Sequence, residues 1–336
     1  MAGYASAAGC ARFAARHGME YTDFYRTAQR LLISSIGIGT YRGAMDDDTD
    51  IAYAESVHAA LRAGVNLIDT ALTYRDQRSE LSVAVAIRSF LDESGGSRDE
   101  IVVCSKGGYL VPGAVPARTL DSVETVGARH CIAPAFLLDQ IDRSRDNLGL
   151  ETIDVYYLHN PETQLAYVDS VEFERRIRAA FEALEGAVAA GSIRCYGAAT
   201  WDGFRNGVLS VRSLARIAGE IVGQDHHFRF IQLPVNYGMR EALAPPAQGA
   251  PSVVALAGEL GITVIASASL LQGRLARSLP GDGPTGPTTD AQRAIEFARS
   301  APGITAALVG MRSPAHVAEN LAGYLRPRSD GGRACE

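Results

Sequence analysis

LGLETIDVYYLH, residues 148–159, places a glycine where one periodicity stops and a β-branched apolar run begins. Glycine suits the left-handed conformation that commonly follows a helix's last turn, because it has no Cβ to clash. The same junction recurs as AGVNLIDT at 63–70, AGSIRCYG at 190–197, LGITVIAS at 260–267 and PGITAALVG at 302–310. Upstream segments keep helical spacing, as in Ile51, Ala54, Val57 and Leu61 or Phe181, Leu184 and Val188. With SSIGIGT at 34–40, EIVVCSK at 100–106 and FRFIQLPV at 228–235 the chain offers about eight strands, the number that closes a parallel barrel. The strands are continuous apolar runs, as expected when helices cover them.

Alternating strands and helices could also build an open doubly wound sheet. That fold usually carries a GxGxxG turn after its first strand, and SIGIGTYRGA lacks the spacing. The prediction is therefore an α/β protein with a single (β/α)8 barrel over 31–326, an N-terminal extension over 1–30 and a tail over 327–336. YTDFYRTAQRLLIS, residues 21–34, reads as a hairpin closing the barrel floor. The stretches 107–135 and 271–289 leave the C-terminal ends of strands and read as substrate-covering loops.

Composition narrows the function. Of 336 residues 47% are hydrophobic and 21% charged, an ordinary globular balance, and the net charge of −6 gives no footprint for nucleic acid or a membrane surface. The five cysteines contain no CxxC pair, so a reducing, cytoplasmic setting and no metal are expected. Residues 1–19 are rich in Ala and Arg but poor in Ser, which favours a loosely ordered extension over a targeting peptide. His226 and His227 read as a solvated loop, and FERRIRAAFEALE as an outer helix.

Asp69, Lys106 and His159 each end an apolar strand, and Tyr74 follows Asp69 closely enough to turn back over the same barrel mouth. These types suit carbonyl reduction. Tyr74 would donate the proton, Lys106 would lower its pKa from near 10, and Asp69 would hold the ammonium. His159 would donate a hydrogen bond to the carbonyl oxygen. Trp201 is placed to wall the substrate pocket.

NLIDTALTY, VCSK and DVYYLHNPE resemble the signature blocks of the aldo-keto reductase superfamily, in order, along roughly 34 to 324. The resemblance implies a catalytic tetrad of Asp69, Tyr74, Lys106 and His159 in a barrel that binds NADPH, with NADH the lesser alternative. GIGTYRG is similar to the family's first block, which implies that Thr40 and Tyr41 border the nicotinamide ribose beside Asp69, with Tyr41 also in the substrate pocket. Gln232 matches the glutamine that contacts the carboxamide. The resemblance further implies cofactor contacts from Thr200, Ser267, Ser269, Leu270 and Gly273, and from Arg274 at phosphate.

GMRSPAHVAENLA resembles the block that binds the adenosine phosphate, which implies Gly310, Arg312, Ser313 and His316 near phosphate and Glu319 with Asn320 at adenine. Ser313 followed by Pro314 is in addition an N-cap signature. The chain departs from the pattern at Ala199-Thr200, usually Ser-Asn, at Ser267, commonly aromatic, and at His316, usually Arg or Gln. The expected reaction is reduction of an aldehyde or ketone, sugar-like or from secondary metabolism. The alternatives are a redox-sensing regulatory protein similar to channel β-subunits, an imine reductase, or alcohol oxidation in reverse. The expected partner is a small-molecule carbonyl, and the oligomeric state is left open.

Overall fold

The computed structural model describes residues 1–17, 23–114, 124–127, 129–247, 249–279 and 289–324. Eight parallel strands close a barrel: β1 (Ile36–Gly39), β2 (Leu67–Asp69), β3 (Val102–Gly107), β4 (Ile153–His159), β5 (Ile193–Ala199), β6 (Phe228–Pro234), β7 (Thr263–Ser267) and β8 (Ile304–Gly310). A helix follows each: α1 (Asp47–Arg62), α2 (Arg78–Ser94), α3 (Pro134–Leu148), α4 (Ser170–Ala189), α5 (Val211–Val222), α6 (Val253–Glu259), α7 (Asp290–Ser300) and α8 (Pro314–Leu321). This is the predicted (β/α)8 barrel. All five junction glycines take positive φ, from 63° at Gly149 to 92° at Gly64.

The core has two layers, set by the alternation of side chains along each strand. Ile68, Val103, Tyr156, Leu158 and Ile231 face the helices, whereas Leu67, Cys104, Val155, Tyr157 and Phe230 fill the barrel interior. Gly197 makes room there, since a Cβ would lie 2.1 Å from the Phe230 carbonyl oxygen and 3.0 Å from Cδ1 of Tyr157.

The predicted hairpin is present, with Tyr25–Ala28 antiparallel to Leu31–Ser34. Its turn residues Gln29 and Arg30 both have positive φ, the geometry that matches strand twist in a two-residue loop. Ala28, Leu31 and Ile33 pack into the interior cluster from below.

Residues 1–17 of the extension are not loosely ordered as expected. Ala7–Arg16 is a helix capped by Ser6, whose hydroxyl accepts from Gly9 N. Its Cys10 joins the interior cluster, and Arg12 pairs with Asp99 at 2.7 Å. Ahead of it, Ala5 N donates to Asp154 Oδ1 at 2.6 Å, while Arg98 holds Oδ2 at 2.7 Å. The apolar face of a ten-residue helix and a buried ion pair thus fix what composition alone read as a tail. The tail at 327–336 lies outside the described residues. So do 115–123 and 128 of the first long loop and 280–288 of the second.

Candidate active site

The interior columns explain why three ionisable residues share one mouth. Asp69 stands two residues beyond Leu67, Lys106 two beyond Cys104, His159 two beyond Tyr157 and Gln232 two beyond Phe230. A period of two carries each onto the same inner face at the C-terminal end of its strand. Asp69 pairs with Cys104 across β2 and β3, and His159 with Ala199 across β4 and β5.

Lys106 Nζ donates to Asp69 Oδ2 at 2.6 Å and to the Thr70 carbonyl at 2.9 Å. It lies 4.8 Å from the centroid of the Tyr74 ring, which meets His159 edge-on at 5.9 Å. Tyr41 also packs against Tyr74, tilted, with 5.0 Å between centroids. Lys106 is 1% exposed and Tyr74 9%, so the charge is fixed in place and water is largely excluded.

Burial pushes the Tyr74 hydroxyl up and the Lys106 ammonium pulls it back, leaving it at about 12. The expected net lowering of this pKa is therefore corrected: loss of solvation outweighs the cation, and Tyr74 stays a neutral phenol. For Lys106 burial opposes the charge, but the pKa is raised, with the Asp69 carboxylate 2.6 Å away as its main favourable partner. Burial, with Lys106 and His130 nearby, holds His159 well below its ordinary value. A neutral acid, an ammonium and a neutral imidazole thus stand together at the mouth.

Several residues that the sequence did not single out hold this group. His130 Nε2 donates to the His159 carbonyl at 2.9 Å, because its Nδ1 accepts from Gln164 Nε2 at 2.8 Å. Tyr109 packs edge-on against both His159 and His130, at 5.1 and 4.8 Å, and its hydroxyl accepts from Asn160 Nδ2 at 3.1 Å. Asn160 also accepts from Trp201 N at 2.8 Å, so it joins the exits of β4 and β5. Asn160 lies inside the quoted DVYYLHNPE block, but nothing in its spacing announces this bridge.

The sequence profile of the Aldo/keto reductase family matches residues 35–289. The chain belongs to the aldo/keto reductase family. Aldo-keto reductase YhdN of Bacillus subtilis (strain 168) is 28% identical over 165 residues, 47% of this chain and 43% of that protein. D-threo-aldose 1-dehydrogenase of Pseudomonas sp is 28% identical over 193 residues, 53% and 54% of the two. The chain spans about half the length of the curated relatives it matches. The solved glycerol dehydrogenase of Gluconobacter oxydans superposes with a TM-score of 0.64 at 18% identity over 90% of both chains, a likeness of fold.

In this aldo/keto reductase the residues expected at a cofactor fall into three groups. Near Asp69, Thr40 is buried and its hydroxyl bonds Thr70 Oγ1 at 3.0 Å, while Gln232 Nε2 donates to Asp69 Oδ1 at 2.7 Å. The Thr200 hydroxyl accepts from Phe204 N at 3.4 Å and so serves its own loop. At the exit of β7, Ser267 ends the strand, Ser269 is fully buried, Leu270 is partly buried, Gly273 has φ 85° and Arg274 is exposed. At the exit of β8, Gly310, Arg312, His316 and Glu319 are exposed and Asn320 is 3% exposed. Ser313 caps α8 through His316 N, with Pro314 in the first turn, as its sequence signature implied.

His226 is 8% exposed and His227 Nδ1 meets Glu185 Oε2 at 2.7 Å, so this is a packed corner and not a solvated loop. No group of three potential metal ligands occurs among the described residues. FERRIRAAFEALE lies on α4, with Arg175 and Arg176 both paired to Glu172. Among the described residues no helix is long and apolar enough to cross a membrane.

Proposed function

We propose that the chain reduces an aldehyde or ketone to the alcohol with a nicotinamide dinucleotide as reductant, NADPH in preference to NADH. The observation that carries the proposal is the buried Asp69–Lys106–Tyr74 file beside His159 at the barrel mouth. The residues around it fit the cofactor. Ser269 Oγ is buried with no partner among the described residues, and Gln232 has committed Nε2 to Asp69 while Oε1 carries no bond among them. Arg274 and Arg312 are exposed and form no ion pair among the described residues, and a guanidinium matches phosphate geometry. The capped N-terminus of α8 adds backbone donors beside Arg312.

When bound, the dinucleotide supplies hydride to the carbonyl carbon. Tyr74, neutral by burial, gives its proton to the oxygen as negative charge builds there. Lys106 stabilises the phenolate left behind, and Asp69 holds Lys106 in place. His159, neutral in its buried site, orients the carbonyl oxygen by a hydrogen bond. Its Nδ1 is buried with no partner among the described residues.

Tyr41 and Trp201, 58% and 38% exposed, offer aromatic faces with polar tips at the mouth. They suit a sugar-like carbonyl, in keeping with the aldose named for the Pseudomonas relative. The cytoplasm is the proposed location, supported by four free, buried cysteines. The test is NADPH consumption over a panel of aldehydes, ketones and aldoses, with NADH and imines alongside. Turnover of carbonyls with NADPH is expected, and oxidation of NADPH by none of them would refute the proposal.

A further inference from the structure

Three consecutive residues after Tyr74 take left-handed backbone: Arg75 at φ 53°, Asp76 at 50° and Gln77 at 72°. None is glycine, so each Cβ is crowded against its own backbone. Such strain persists only where the surroundings over-determine it, and here each of the three grips a different element. The Arg75 side chain is 2% exposed. Its Nε donates to the Ala44 carbonyl at 2.7 Å, and its Nη2 to the Asp46 carbonyl at 3.2 Å and to Asp50 Oδ1 at 2.5 Å. The guanidinium also lies 5.5 Å from the centroid of the Tyr53 ring. Asp76 Oδ1 accepts from Gly113 N at 3.0 Å, and Gln77 Oε1 from Asn147 Nδ2 at 3.3 Å. The turn is thus tied to the exit of β1, the exit of β3 and the end of α3.

That turn begins at the residue covalently bonded to Tyr74, whose phenol must meet both Lys106 and a substrate oxygen. A small rotation of the turn would swing the hydroxyl out of line, and misplacing a reacting group by about 1 Å can cost on the order of a hundredfold in rate. We propose that the Arg75–Gln77 turn is a positioning device for Tyr74, with Arg75 as its buried anchor. This rests on Tyr74 being the proton donor. The plainer account, in which Arg75 only packs α1 against the barrel, makes a different prediction about coupling.

The test is a double-mutant cycle read by single-turnover hydride transfer at saturating NADPH. Arg75→Gly keeps the left-handed backbone accessible and removes the anchor. In the wild-type background it should slow hydride transfer by about tenfold or more, with NADPH affinity unchanged. In a Tyr74→Phe background it should change the rate by less than about twofold, because the group it positions is already gone. Arg75→Lys should recover part of the loss. Asp76→Ala, which frees the turn from Gly113 and leaves the buried guanidinium in place, should show a smaller loss with the same dependence on Tyr74, and it carries the cycle if Arg75→Gly does not fold. Equal losses in both backgrounds, or no loss in the wild-type background, would overturn the positioning role. A Tyr74→Phe protein that keeps the wild-type rate would instead overturn the proton-donor assignment beneath it.

Discussion

Gln232 donates from Nε2 to Asp69 Oδ1 at 2.7 Å, on the oxygen that Lys106 leaves free. The two donors come from β3, next to β2, and from β6, separated from β3 by β4 and β5, so one buried carboxylate ties together distant strands of the barrel mouth. Gln232→Leu keeps the volume but leaves Asp69 Oδ1 without its donor. A loss of about 1–3 kcal/mol in unfolding free energy is expected from denaturant titration. Wild-type stability would show that this bond contributes nothing net.

Lys106→Met leaves the Asp69 carboxylate buried and unpaired, and a broken buried pair typically costs about 3–5 kcal/mol. Adding Asp69→Asn should restore part of the stability and none of the activity, since the ammonium remains absent. Recovery of turnover in the double variant would mean that Lys106 is structural only.

The site should also leave a signature in stability against pH. Burial lowers the His130 pKa from 6.5 to about 4, with its carbonyl partner at His159 only partly offsetting that effect. A depressed pKa means that the unfolded chain binds the proton first, so the stability is present above pH 6.5 and is lost as pH falls toward 4. The loss across that window is about 3 kcal/mol for this residue, and His159 acts in the same direction. Denaturation of wild type and His130→Gln between pH 7 and 4 should give a shallower slope in the variant. Equal slopes would contradict the assignment.

The barrel was legible because helix stops, glycines and apolar runs repeat locally, and each such unit packs the same way. Asp69, Lys106 and His159 were legible for a related reason: a side-chain period of two carries strand-end residues onto the inner face. The supports were not. His130, Gln164, Tyr109 and Asn160 meet through tertiary contacts between loops of unrelated spacing. The direction of the Tyr74 shift is not legible, because charge proximity follows from strand-end spacing whereas the depth of burial opposing it does not. The N-terminal helix is not legible from its own residues, since Cys10 joins the interior cluster and Phe13 the outer one only in the folded barrel.

Exposed Arg312, beside the capped start of α8, carries the proposed preference for NADPH. Fluorescence titration should show tighter binding of NADPH than of NADH, and Arg312→Ala should weaken NADPH more than NADH. Equal affinities in the unmodified protein would remove the phosphate assignment while leaving the reaction untouched.

The central claim is that Tyr74 donates the proton, and it is tested most directly by single-turnover hydride transfer in Tyr74→Phe with saturating NADPH. The substitution removes one hydroxyl from a residue only 9% exposed and leaves the ring packed against Tyr41 and His159. Fold and cofactor affinity should be nearly unchanged, and hydride transfer should slow by about 10²–10⁴-fold, the usual contribution of general acid catalysis. Hydride transfer at the wild-type rate would mean that another group protonates the product, contradicting the mechanism even in an intact barrel.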